Sequence, residues 1–206
     1  MAALNFSTPD DREELARAEV YGLLAQLFYA QPADDLYSQL QVASTEAPAP
    51  GAFLEASWTE LVAASRRLSV AAVREEYEAL FMGVGKPEVF LYGSYFVAGA
   101  LNEKPLVALR HDLRALGLER PEGVLETEDH LAALSEVMRY LIAGDDLAVS
   151  NLANQQKFFN AHLRGWTDKL WDVLAAHPRA DFYRAVSVFA RDFLAVEAQG
   201  FDMLDG

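Results

Sequence analysis

Along most of this chain apolar side chains recur at three- and four-residue intervals, the spacing that lines them up on one face of a helix. Leu131, Leu134, Val137, Met138, Leu141 and Ile142 carry the pattern, as do Leu106, Leu109, Leu113 and Leu116, and near the N-terminus Val20, Leu23, Leu24, Leu27 and Phe28. Such stripes are buried only against one another, so the chain is constrained to a packing of amphipathic helices. Punctuation sets their limits. Thr8 can cap a first helix that has Pro9 in its first turn, with Asp10, Asp11, Glu13 and Glu14 at the positive end of the dipole and an end near Ala30. Pro32 breaks the chain before a short helix over 34–42, and Pro48 and Pro50 mark 44–51 as the clearest loop. Helices are then predicted over 52–67, 70–81, 103–116 with Gly117 as the stop, 127–143 ended by Gly144, 151–174 with a break near Gly165, and 181–198 with Phe182, Val186, Phe189 and Phe193 inward.

Only 82–99 resists this reading, because Val89, Phe90, Tyr92 and Tyr95 favour a strand. No second convincing strand is available to pair with it, so a loop entering a bent helix is expected. The expected architecture is therefore all-α, a single globular domain of about nine helices in one body or two closely packed lobes, with 118–124 as the candidate hinge.

Composition narrows the function classes. A chain of 206 residues, 52% hydrophobic, buries a core without covalent staples, and the absence of cysteine excludes disulfides, iron–sulfur ligation and thiolate zinc sites. Thirty-one acids against seventeen bases give a formal charge of −14, which repels nucleic-acid phosphates and anionic lipid and attracts a basic partner. The first residues show no basic region followed by an apolar core, and no apolar run approaches the ~18 residues of a membrane span, so a cytoplasmic protein without stable membrane insertion is expected.

Three constellations carry potential chemistry. Gly83-Val84-Gly85-Lys86 is superficially like a phosphate loop, but Leu80 stands where the first glycine is required and Pro87 follows the lysine, where a magnesium-binding hydroxyl is needed. Glu126-Thr127-Glu128-Asp129-His130 offers oxygen and imidazole ligands, yet neighbours on a helix diverge by ~100° and no His-x-x-x-His or Glu-x-x-His spacing supports them; His111, His162 and His177 are scattered. The same acids also suit the first turn of a helix, with Thr127 or Glu126 as the cap, His130 turned to the apolar side and Asp129 on the flank. The aromatic set Tyr77, Phe81, Phe90, Tyr92, Tyr95 and Phe96, broken by glycines, reads either as core or as the floor of an apolar trough. Six acids and one base over 119–136 would give that trough an acidic rim, suited to a peptide in which arginines precede a hydrophobic run.

These residues resemble the TorD/DmsD/NarJ family of redox-enzyme maturation chaperones. The resemblance is carried by an aromatic-x-x-Leu-Phe-x-Gly segment (Tyr77, Leu80, Phe81, Gly83), an aromatic-Gly-Ser segment (Tyr92, Gly93, Ser94), Leu109-Arg110, and a Glu-Pro-x-Asp-His motif at Glu126, Asp129 and His130 with Thr127 in place of the proline. Two further departures are Val84-Gly85-Lys86 after the first motif glycine and Tyr92 in place of tryptophan. The family implies a cytoplasmic, non-catalytic helical protein without a cofactor. Its partners would be the twin-arginine signal peptide and apo-protein of a molybdenum or tungsten cofactor oxidoreductase, and domain-exchanged homodimers occur in such families. Carried over, the leader-binding positions fall on Tyr77, Leu80, Phe81, Tyr92, Ser94, Asp129 and His130, with Glu126 joining them as a partner for arginine. The expected division has Leu80, Phe81 and Tyr92 as floor, Glu126 and Asp129 on the arginines, and His130 orienting Asp129 or bonding peptide backbone. The rival readings from the residues alone are a metal-dependent hydrolase built on Glu126, Asp129 and His130, and a helical scaffold.

Overall fold

A computed structural model describes residues 9–45, 54–83 and 85–204, with side chains from residue 12 onward. The apolar stripes become ten α-helices: α1 (Pro9–Tyr29), α2 (Asp34–Val42), α3 (Glu55–Arg67), α4 (Val70–Tyr77), α5 (Gly93–Ala98), α6 (Lys104–Ala115), α7 (Leu131–Ala143), α8 (Leu152–His162), α9 (Thr167–Ala176) and α10 (Phe182–Asp202). Among the described residues there is no strand, as the periodicity requires. The Thr8 cap and most of the 44–51 loop lie outside the described residues.

Two boundaries differ from expectation for physical reasons. The helix predicted over 70–81 changes after Tyr77 into a π-helical turn, Glu78–Met82, and the Leu80 carbonyl accepts the Val89 amide at 2.8 Å. The helix predicted from Thr127 begins at Leu131, because the backbone from Asp129 to Leu131 is engaged with 91–93 and cannot wind. The acidic cluster thus lies in the connection before α7 rather than in its first turn.

α1 runs through the centre, packing chiefly along α7, while α10 packs on α3 and α9. Phe28 of α1 meets Phe81, Trp171 and Tyr183 at ring-centroid distances of 5.9, 5.9 and 5.8 Å, in tilted or edge arrangements that suit aromatic quadrupoles. The tyrosine hydroxyls packed in and beside this cluster are satisfied by the end of α1: that of Tyr183 donates to the Leu27 carbonyl at 2.9 Å and that of Tyr77 to the Phe28 carbonyl at 3.3 Å. Closer to the N-terminal end of α1, Arg17 forks onto the buried Glu197 of α10 at 2.6 and 2.8 Å, and the Tyr21 hydroxyl donates to the same carboxylate.

α10 has no cap of its own. Its first amides are taken by Glu76 of α4, whose carboxylate accepts from the N–H groups of Asp181, Phe182 and Tyr183 at 2.9, 3.0 and 2.8 Å. Asp181 is meanwhile committed outward, to a bidentate pair with Arg67. Glu76→Ala is expected to lower the unfolding free energy by about 1–2 kcal/mol, the cost of an uncapped helix, with Glu76→Gln in between. Urea denaturation measures it, and an unchanged midpoint would mean that other contacts hold the start of α10.

Candidate functional site

The central stretch is folded back on itself by a few backbone requirements. Gly83 ends the π-turn at φ +42°, and a Cβ there would collide with the Lys86 carbonyl, so only glycine closes the turn. The chain then returns along Val89 and Leu91, both buried, to meet the connection before α7. The Leu131 amide donates to the Leu91 carbonyl at 2.8 Å and the Gly93 amide to the Asp129 carbonyl at 2.9 Å, forming an isolated antiparallel bridge between Tyr92 and His130. A Cβ at Gly93 would lie 3.1 Å from the Trp166 indole nitrogen, so glycine there lets α5 start against that ring.

Asp129 and His130 act as helix caps. One Asp129 oxygen accepts the Ser94 amide at 2.8 Å, closing the start of α5, and the other accepts the Thr127 hydroxyl at 2.6 Å. His130 is the N-cap of α7, its Nδ1 accepting the Ala132 amide at 3.1 Å. An accepting Nδ1 carries no proton, and burial pushes the imidazole down to about 4 although Glu126 and Asp129 pull the other way. The neutral ring therefore holds its proton on Nε2. Thr127 orients Asp129 instead of capping α7 directly as expected.

The structure divides the sequence-predicted residues. Tyr77, Phe81, Tyr92, Glu126 and His130 line one open trough of about 1250 Å³. Leu80 and Ser94, both 0% exposed, and Asp129, at 4%, do not line it; Leu80 is core, and the Ser94 amide and Asp129 carboxylate are spent on each other. Asp129 is therefore not the rim acid that its motif position suggests.

Residues 46–172 match the family model described as nitrate reductase delta subunit. The chain belongs to that family. It is the NarJ/TorD type of redox-enzyme maturation chaperone that the motifs resemble. A solved structure from Archaeoglobus fulgidus, provisionally assigned as a redox enzyme maturation protein, shares the fold at a TM-score of 0.57, with 18% identity over 95% of this chain and 98% of that one. No curated protein matches the chain.

The family motifs thus acquire physical meanings here. In the first, Tyr77, Leu80 and Phe81 anchor the core and Gly83 makes the turn; in the second, Gly93 and Ser94 start α5; in the last, Asp129 and His130 cap two helices. The trough's more exposed lining falls on positions that the motifs leave unspecified or do not reach: Met82 at the variable place before Gly83, and Tyr29, Leu101 and Leu125 outside the motifs, the last 92% exposed. Its charged residues are Glu75, Glu78, Glu88 and Glu126 against Arg179 alone, and Arg179 already pairs with Glu88 at 3.3 Å. The Tyr92 hydroxyl donates to Glu126, and burial, then Glu126, raises the Tyr92 phenol well above its ordinary value. A second cavity of about 500 Å³, between α1, the end of α6 and α7, shares Tyr29, Glu126 and His130 with the trough.

The His130 cap makes stability depend on pH. Unfolded, the imidazole protonates near 6.5; folded, it resists to about 4, so the denatured chain binds more protons in between. The His130 contribution is then fully present above pH 6.5 and is lost as pH falls towards 4. His130→Asn keeps a capping oxygen without the titration, so a pH series of denaturation midpoints should fall less steeply for it than for the wild type between those values. Equal slopes would place the sensitivity elsewhere.

Proposed function

We propose that the trough is a binding site for the twin-arginine leader of a molybdenum or tungsten cofactor oxidoreductase, and that the chain holds this client until cofactor insertion is complete. The observation that carries the reading is the combination of an aromatic wall (Tyr77, Phe81, Tyr92), exposed apolar side chains, and four acids with a single, already paired base in one open groove of a family chaperone. Guanidinium groups prefer planar carboxylate partners, and Glu75 and Glu78, three residues apart on one turn, together with Glu126, present such partners. His130, neutral at pH 7, offers Nε2–H to a peptide carbonyl.

Exposed ion pairs contribute ~0–1 kcal/mol each, so the acids set orientation and association rate while apolar contact sets most of the affinity. In this reading the chain is non-catalytic, uses no cofactor of its own and works in the cytoplasm, where leader and apo-enzyme are both present. The metal-hydrolase alternative loses support because both Asp129 oxygens and His130 Nδ1 are occupied by protein hydrogens. Among the described residues no group of three or more His, Cys, Asp or Glu is arranged to hold a metal.

Titration calorimetry with a synthetic leader tests the reading through residues that do not hold the fold. Leu125→Ser combined with Met82→Ser should weaken binding by about 1–2 kcal/mol with an unchanged melting temperature. Glu75→Gln with Glu78→Gln should mainly slow association and flatten its salt dependence. Full binding by both double variants would remove the trough from the account.

A further inference from the structure

The 500 Å³ cavity takes only Glu126 and His130 from the leader-binding positions, yet it has the size and lining of a ligand site. Ala25 and Tyr29 of α1 face Ala133, Val137 and Tyr140, which recur at helical spacing along α7, and Leu118 closes the end. Its charged residues are Glu119, Glu126, Glu128 and Glu136 against Arg120; Glu128 and Glu136 pair with Arg110 and Arg139 just outside it, which leaves Glu119 and Glu126 to favour an occupant that is apolar and flanked by positive charge. The connection that covers it is held by polar contacts at the surface. Arg110 pairs with Glu128 at 2.9 Å, and Arg120 donates to the Glu126 carbonyl at 3.1 Å. Both guanidinium groups are about two-fifths exposed, so these contacts yield at small cost.

Tyr29, Glu126 and His130 line the cavity and the trough alike, so one peptide crossing that shared wall enters both. We propose that this cavity receives the apolar run of the leader while the trough holds its arginine-bearing part, with Glu126 between them. The proposal rests on the leader-binding reading above and adds to it a second compartment, formed by α1 and α7, with a separate specificity: the trough holds the arginines and the apolar side chains beside them, and the cavity reads the length and bulk of the apolar run that follows. A leader with its arginines intact but its apolar run replaced by serine and glycine should then lose affinity, and Ala133, on the cavity wall, becomes a position where added bulk competes with the peptide.

The experiment uses the wild-type chain and a synthetic peptide with two consecutive arginines followed by an apolar run of about a dozen residues, into which a photoreactive benzophenone is placed. Saturable cross-links from the apolar run to 25–29 and 132–140 are expected. Ala133→Trp should weaken binding about tenfold or more without lowering the melting temperature. Cross-links from the apolar run confined to 77–92, or full-strength binding by a folded Ala133→Trp protein, would overturn the second compartment and leave the trough reading intact. No saturable cross-link anywhere, with no heat of binding, would overturn both.

Discussion

Asp129 joins two segments that are distant in sequence, 91–94 and the connection that leads into α7. Its carbonyl takes the Gly93 amide, its carboxylate takes the Ser94 amide, and the residues after it pair with Leu91 and start α7. Buried carboxylates are tolerated only when their oxygens are satisfied, and both oxygens of Asp129 are, by Ser94 and Thr127. The two banks of the trough, the loop after the π-turn and the connection before α7, are held in register by this one residue and the adjoining His130 cap. The rest of the site follows: Tyr92 is placed against His130, with ring centroids 5.0 Å apart, and its hydroxyl reaches Glu126.

The acidity of the chain divides along the same line. Part of it does internal structural work, with Glu76 capping α10, Asp129 capping α5 and Glu197 buried under Arg17 and Tyr21. Another part, Glu75, Glu78, Glu119 and Glu136, faces the trough or the cavity without any such backbone duty. Net charge alone hides this distinction, because a carboxylate whose oxygens are spent on a helix terminus of its own protein has none left to bond a cationic partner directly, however acidic the composition.

The helices were legible because each buries a stripe, and a stripe repeats at a fixed interval; α2, read as 34–42, is found at Asp34–Val42. What periodicity cannot encode is a contact between distant segments. The π-turn after Tyr77 depends on Val89 reaching back to Leu80, and the late start of α7 depends on Leu91 and Gly93, so both boundaries shift in response to partners that are remote in sequence. At the site, Tyr77, Phe81, Tyr92, Glu126 and His130 were recognisable as a group and are together in space, whereas Asp129, an acid in an acidic run, looks the same in sequence whether it faces solvent or an amide. Tyr29 and Leu125 have no signature in the sequence, because an isolated exposed apolar residue carries no signal until a groove passes beside it.

In the proposed function, the residues that build the groove are separate from those that touch the leader. Amide hydrogen exchange with and without a saturating twin-arginine leader peptide tests it in one measurement. New protection is expected over 78–92 and 123–130 and along the exposed edges of α1 and α7, while the Ser94 amide, already held by Asp129, exchanges equally slowly in both states. Protection confined to the surfaces of α8 and α10, or a Ser94 amide that becomes slow only when peptide is added, would contradict it.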